Sequence, residues 1–355
     1  MMHGGENIPR LIFWELTKRC NLKCVHCRAE AGEADYREMG TDEIKKAIDE
    51  IASFAKPIMV LTGGEPLYRG DIFDIARHVA SRGLRAALAT NGTLIDGMLA
   101  AEIKASGIER VSISIDGADA ATHDGFRGIE GCFAEALRGA AHLRNAGLEF
   151  QFNTTITRRN VAGFEKVLSL AIGSGARALH VFMLVPVGCG AEIAGTDMLS
   201  GEEYERVLNR LYELSRDTGF DIKATCAPHY YRIIRQRARG EGRKITFETD
   251  GLSAVTRGCL AGTGVCFISH RGDVQPCGYL PLVAGNVRNT HFREIWEKSE
   301  LFNGLRDFSR LTGKCGECEY VAFCGGCRAR AYYETGSPYD EEPYCGYEPA
   351  RRRDR

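Results

Sequence analysis

Three cysteines stand within eight residues of one another, Cys20, Cys24 and Cys27 in the stretch TKRCNLKCVHCRAE, just after the apolar run LIFWEL. As thiolates on one wrapped loop they can hold three irons of a cubane [4Fe-4S] cluster. Such a cluster takes four ligands. A trio therefore leaves one iron open, and an open metal position implies chemistry rather than a structural staple. A zinc site, or three unrelated core cysteines, is the plainer reading of the same residues.

A second field holds Cys259, Cys266, Cys277, Cys315, Cys318, Cys324, Cys327 and Cys345. Residues 265–269 and 274–279 read as two strands about the turn His270-Arg271-Gly272-Asp273, which brings Cys266 and Cys277 near each other. Thiolates alone do not choose between zinc and iron-sulfur. Cys132, Cys189 and Cys226 are left over, the first as a buried helix residue and the other two lining or approaching a cavity.

The chain between the two fields must position them. Ile44, Ala47, Ile48 and Ile51 recur at helical spacing over residues 41–54, with Thr41 as the expected cap. A short buried strand at 58–61 runs into Thr62-Gly63-Gly64-Glu65-Pro66, where two glycines let main chain approach a ligand closely. Helices at 72–81, 95–105, 132–145 and 161–172 then alternate with strands at 84–90, 110–115, 148–156 and 176–185. With the strand at Leu11 these make six βα units, two short of a closed eight-stranded barrel. Ligands collect at the carboxyl ends of such strands, where Ser114, Asp116 and the trio Asn153, Thr154 and Thr155 interrupt apolar runs. Residues 123–128 read as a loop in which Arg127 clamps a carboxylate or makes a surface ion pair. Residues 188–196 read as a mobile glycine-rich loop, 200–218 as an amphipathic helix and 222–226 as one more short strand, followed by His229, Tyr230, Arg232 and a run of cations.

A length of 355 residues exceeds one ordinary core. The expected division is a partial barrel over 1–218, a connecting segment and pocket wall over 219–258, a cysteine-rich unit over 259–349 and a charged tail over 350–355. With 46 basic and 47 acidic residues the net charge is -1, which asks for neither nucleic acid nor an anionic membrane. No export signal and no apolar run of about 18 residues stands in the sequence, so the expectation is a cytoplasmic protein without a transmembrane segment. In that setting 14 cysteines read as metal ligands rather than disulfides.

The CxxxCxxC trio, with Gly63, Gly64 and Glu65 one helix and one strand later, resembles the signature of radical S-adenosylmethionine (SAM) enzymes. The resemblance implies an α/β fold, a partial (β/α)6 barrel, in which the open iron chelates the amino and carboxylate groups of SAM and the reduced cluster cleaves its sulfonium to a 5′-deoxyadenosyl radical. No side chain then need act as the catalyst. Carried over, Gly63, Gly64 and Glu65 cup the methionine amino group, Ser114 and Asn153 or Thr155 touch the ribose or carboxylate, and Met183 and Leu184 pack on adenine. The second field resembles the SPASM extension of these enzymes, which implies two auxiliary [4Fe-4S] clusters. Cys259, Cys266, Cys277 and Cys327 would hold one, and Cys315, Cys318, Cys324 and Cys345 the other. Cys324 and Cys327 have two residues between them where that pattern has three.

The stretches HVFMLVPVGCG, ATCAPHYYRIIRQRA, RGCLAGTGVCFISHRGDVQPCGYLP and CGGCRARAYYETG make the match closer. They resemble the haem-synthase branch, the iron-coproporphyrin III oxidative decarboxylases, with a sister branch acting on a haem d1 precursor. Cys189 departs from the arginine expected there. This resemblance implies decarboxylation of two propionates to vinyl groups, giving protohaem. It makes Arg127, His229, Tyr230 and Arg232 substrate contacts, an iron-porphyrin the small-molecule partner, and a ferredoxin or flavodoxin the external low-potential electron donor. A SPASM-type peptide maturase is the competing enzyme, and a structural iron-sulfur or zinc protein the competing non-enzyme.

Overall fold

A computed structural model describes residues 7–251, 254 and 256–353. Seven strands come first: β1 (Leu11–Glu15), β2 (Ile58–Thr62), β3 (Arg85–Thr90), β4 (Ile108–Ser114), β5 (Glu149–Ile156), β6 (Ala178–Met183) and β7 (Asp221–Thr225). Helices α1 (Thr41–Ala52), α2 (Ile72–Ser81), α3 (Gly97–Ala105), α4 (Ala120–Arg127), α5 (Cys132–Asn145) and α6 (Phe164–Ser174) cross over between the first six. The connection to β7 runs through α7 (Cys189–Glu192), α8 (Ala194–Asp197) and α9 (Gly201–Thr218). All seven strands pair in chain order and in parallel. The six βα units read from the sequence are therefore present, and β7 extends them.

The cysteine-rich segment adds to the same sheet. Its strands are β8 (Val265–Ile268), β9 (Asp273–Gln275) and β10 (Gly285–Asn286). β8 lies parallel to β1 on the sheet's other side, and β9 and β10 follow antiparallel. The hairpin expected about residues 270–273 is β8 and β9, with Asp273 already in β9.

Residues in register share a face of a sheet. Trp14, Leu61, Leu88, Val111 and Phe150 form one such row and are buried against the helices. The opposite face carries Phe13, Ser112, Ser114, Asn153, Thr155 and Phe182, all only partly covered. Apolar side chains thus fix the helix layer and leave the polar face to ligands.

Several local readings change. Residues 123–128 lie in or end α4, whose N-cap Asp119 accepts the Thr122 N–H at 2.8 Å and whose C-cap Gly128 has φ 72°. Residues 188–196 fold into α7 and most of α8 rather than an open loop. Gly40, not Thr41, caps α1, its N–H donating to Glu43 at 2.8 Å. The basic run lies on α10 (His229–Gly240) and just before α11 (Phe247–Asp250), with Arg237 paired to Glu213 and Arg243 to Asp250. No helix among the described residues is long and apolar enough to cross a membrane.

Candidate active site and cysteine centres

Beyond β1 the chain turns into the loop of Cys20, Cys24 and Cys27. Main chain holds that loop from three sides. The Gly64 and Glu65 N–H groups donate to the carbonyls of Thr17 and Arg19 at 2.7 and 2.8 Å. Lys23 and Val25 donate to Arg127 and Phe126 at the end of α4, both at 3.0 Å, and Cys189 donates to Cys27 at 3.0 Å. Such contacts leave no room for side chains. A Cβ at Gly64 would stand 2.5 Å from the Arg19 carbonyl oxygen, and one at Gly188 would stand 2.5 Å from that of Cys27.

The three thiols are partly exposed. Cys20 and Cys27 sulfurs accept N–H bonds from Leu22 and Ala31 at 3.4 Å, and Arg127 Nη1 lies 3.6 Å from Cys24 Sγ. Donors aimed at sulfur stabilise metal-bound thiolate, so this donor set fits a three-thiolate cluster. Burial pushes the Cys20 thiol up to about 11 and also raises Cys24, so metal ligation here releases protons.

Glu65 directs its side chain to the end of β3. Its carboxylate accepts from the Thr90 hydroxyl and the Asn91 N–H, both at 2.8 Å, and from the Leu67 N–H at 3.1 Å. It ties the end of β2 to the end of β3, and Gly63 and Gly64 pack on Thr17, Lys18 and Arg19, just before Cys20. Burial outweighs the three donors and pushes the Glu65 carboxyl up to about 7.

Behind the loop, fully buried Asp116 meets Arg127 Nη2 at 2.6 Å and His26 Nε2 at 3.3 Å, and accepts the Thr155 N–H at 2.7 Å. Burial alone would raise the Asp116 carboxyl, but the Arg127 guanidinium holds it below its ordinary value. His26 itself is driven down to about 4 by burial, hence neutral. Arg127 is therefore committed to Asp116 and Cys24, where the sequence reading made it a substrate clamp.

Ser114, Asn153 and Thr155 share the partly covered face, with Asn153 accepting from Gln151 at 3.0 Å and Gln151 in turn meeting His180 at 2.8 Å. Met183 does not join them. It continues the row of Leu179 and Val181 into the buried helix layer, and Leu184 is buried with its carbonyl accepting from Tyr204 at 3.2 Å. Phe182 and His180 are the β6 residues on the ligand side. The alternation in HVFM carried that signal, because neighbours in a strand face opposite ways.

Cys315, Cys318, Cys324 and Cys345 line one open pocket together with His229 and Arg232. Cys315 and Cys318 sulfurs accept N–H bonds from Glu342 at 3.3 Å and Tyr320 at 3.4 Å, and Arg328 Nη2 lies 3.5 Å from Cys315 Sγ. Four thiols with these donors fit a [4Fe-4S] cluster. His229 is 1% exposed, neither ring nitrogen is hydrogen-bonded, Nε2 lies 3.9 Å from the Glu342 carboxylate, and burial lowers it to about 3. Arg232 pairs with Glu205 and donates to Gln236 at 2.7 Å, while Tyr230 reaches Ser215 on α9 at 3.4 Å. The three residues expected on substrate thus sit at this centre or in the packing of α9 against α10.

Cys259, Cys277 and Cys327 form the second set. Cys277 is pushed up to about 12 by burial and by its two neighbouring thiols. Cys266 does not reach them. It stands in register with Ile12 on the helix-covered face, so the expected ligand set is corrected at that position.

Residues 14–171 match the Radical SAM superfamily, and residues 259–328 match SPASM, an iron-sulfur cluster-binding domain. The chain is 53% identical to the AdoMet-dependent heme synthase of Methanosarcina barkeri, over 99% of this chain and 100% of that protein. It is 52% identical to the AdoMet-dependent heme synthase of Nitratidesulfovibrio vulgaris, over 99% and 95%. In fold it is similar to Streptococcus suis SuiB bound to S-adenosylmethionine, with a TM-score of 0.73 at 16% identity, over 96% of this chain and 78% of that one. Radical SAM and SPASM domains carry [4Fe-4S] clusters, and the N-terminal one works with SAM. Whole-length likeness at this level, on a chain whose cysteine loop, glycine pair and later thiols fit those groups, makes it an enzyme of the radical SAM superfamily that belongs to the SPASM-bearing AdoMet-dependent heme synthase family.

Proposed function

We propose that this enzyme converts two propionate side chains of iron-coproporphyrin III into vinyl groups, giving protohaem. What supports the reading is the likeness of the whole chain to proteins named AdoMet-dependent heme synthase, at 53% and 52% identity. The cluster at Cys20, Cys24 and Cys27 with SAM supplies a 5′-deoxyadenosyl radical able to take a hydrogen atom from the propionate β-carbon. Loss of CO2 and one electron then leaves the vinyl group, and a second round repeats the step.

The protein's task is positioning. Gly63 and Gly64 main chain would receive the methionine end of SAM, with Ser114, Asn153 and Thr155 toward its ribose. Phe13 and Phe182, half-buried on the same face, offer flat apolar surface to a macrocycle. Arg127 acts as a positioning residue for Cys24 rather than as a substrate clamp. The later thiol sets, Cys315, Cys318, Cys324 and Cys345 above all, would hold clusters that could take up the released electron, and an external low-potential donor of the ferredoxin or flavodoxin kind would supply the reducing electron.

The test is anaerobic turnover of the reconstituted protein with SAM, dithionite and iron-coproporphyrin III. Porphyrin mass and 5′-deoxyadenosine are followed together. Loss of two carboxyl groups with matching deoxyadenosine is expected. Deoxyadenosine with unchanged porphyrin mass would remove this substrate and turn attention to haem d1 precursors or peptides.

A further inference from the structure

We propose that Cys226, not Cys266, completes the thiol set of Cys259, Cys277 and Cys327, and that the cluster so held joins the two edges of the parallel sheet. The inference is independent of which substrate the enzyme takes.

Cys226 is the first residue beyond β7. It has φ 55°, in the left-handed region, and among the described residues only Glu30 shares that property without being glycine. A cysteine has no intrinsic reason to sit there, and such conformations persist where surrounding structure demands them. The bend carries Cys226 into a small apolar cluster with Cys277 and Cys327, separate from the main core. Two residues on, Pro228 lies against Gly258, where a Cβ would stand 2.6 Å from Pro228 Cα, so Cys259 is brought alongside. The Cys226 thiol is pushed up by burial and by its neighbours Cys327, Cys277 and Cys259, which are the three that lack a fourth partner.

Cys266 is excluded by strand register. In β8 it pairs with Ile12, while Phe267 pairs with Phe13. Phe267 packs on the side of Gly278, the residue after Cys277, since a Cβ there would lie 3.2 Å from its ring. Cys266 therefore points through the sheet to the other side, near Arg306, whose guanidinium lies 4.8 Å from the Trp296 ring. Only a one-residue slip of β8 would turn it to the thiols, and that would expose Ile268 as well.

Ligation by Cys226 forms one iron-sulfur bond and releases the thiol proton, with no change of oxidation state. β7 and β8 are the outermost parallel strands at opposite ends of the strand order. A cluster with one ligand at the exit of β7 and another just past β9 thus joins two edges that are not paired as strands among the described residues.

The experiment compares the full chain, reconstituted anaerobically, as wild type, Cys226→Ala, Cys226→Ser and Cys266→Ala. Iron and acid-labile sulfide per chain, the EPR spectra before and after dithionite reduction and far-UV circular dichroism are recorded for each. Both Cys226 variants should lose one cluster's iron and sulfide, about four of each, or show before reduction a three-iron signal beyond that of wild type, while Cys266→Ala keeps the wild-type content. Wild-type iron, sulfide and EPR in Cys226→Ala would overturn the proposal. So would loss of a cluster in Cys266→Ala with its dichroism unchanged. If the Cys226 variants do not fold, alkylation of wild-type holoprotein in mild urea, before and after iron chelation, decides by peptide mass. Protection of Cys226 together with Cys259 supports the assignment, and labelling of Cys226 like Cys266 overturns it.

Discussion

Glu65 and Asp116 are both fully buried carboxyls at strand ends, and their surroundings push them in opposite directions. Glu65 has no cation partner, so burial dominates and its folded value of about 7 stands above the ordinary 4.5. A raised folded value means that stability is fully present below about pH 4.5 and is lost as pH rises through about 7. Between about pH 6 and pH 8 this amounts to roughly 1 kcal/mol. Glu65→Gln has no such dependence, so its unfolding free energy relative to wild type should improve by that amount over the interval, read from urea curves of holoprotein at the two pH values. Parallel curves would show that Glu65 does not titrate there. Asp116 has the opposite sign, its contribution being lost as pH falls below the ordinary carboxylate range. Asp116→Asn strands the buried Arg127 charge. It should cost about 3 kcal/mol in the same measurement, and a loss below about 1 kcal/mol would mean that the Cys24 thiolate alone suffices as counter-charge.

At the scale of elements, the cysteine loop keeps its shape because neighbouring main chain touches it where side chains are absent. Gly64→Ala must move either the loop or β2, since its Cβ would meet two carbonyl oxygens within 2.7 Å. Overpacking of that kind costs about 1–3 kcal/mol. The expected outcome is weaker SAM binding by equilibrium dialysis and less iron at the first cluster, with far-UV dichroism retained. Gly173→Ala is the control, because nothing stands within 4 Å of that Cβ and it lies inside α6, where alanine is the better residue. Equal SAM binding in both variants would remove the loop-packing role from Gly64. These elements were unequally legible in the sequence. The βα alternation of β1 to β6 was readable because buried parallel strands are apolar runs and the helices between them keep a 3.6 period. α4 was hidden, since only His123, Phe126 and Arg127 are buried and two of those are polar. Met183 was misplaced for a different reason. Its chemistry suits adenine, but strand parity gives the ligand face to Phe182. Cys226 was set aside because sequence spacing cannot show that β7 and the β9 exit end beside each other.

The whole molecule is tied together by two ionic groups that bridge segments far apart in sequence. At the first, Glu15 at the end of β1 pairs with Arg28 of the cysteine loop at 2.6 Å and with His270 of the turn after β8 at 2.7 Å. At the second, fully buried Arg330 pairs with Glu342 at 2.9 Å and reaches the Leu184 carbonyl after β6 at 3.5 Å. Glu342 also accepts the Cys327 N–H at 2.6 Å and gives its own N–H to Cys315 Sγ at 3.3 Å, so it touches both auxiliary thiol sets. Removing its charge leaves Arg330 without its carboxylate partner in a site with no water access, at a cost of about 3–5 kcal/mol. Glu342→Gln keeps the shape and one acceptor oxygen, so the loss should come from charge and not from a cavity. It should therefore lower the urea midpoint of the whole chain and reduce iron retained by both auxiliary centres after gel filtration, while Arg330→Met with Glu342→Leu, which removes both charges, should restore much of the urea midpoint. If Glu342→Gln instead loses one EPR signal at an unchanged midpoint, the pair serves one cluster locally and does not couple the barrel to the cysteine-rich segment.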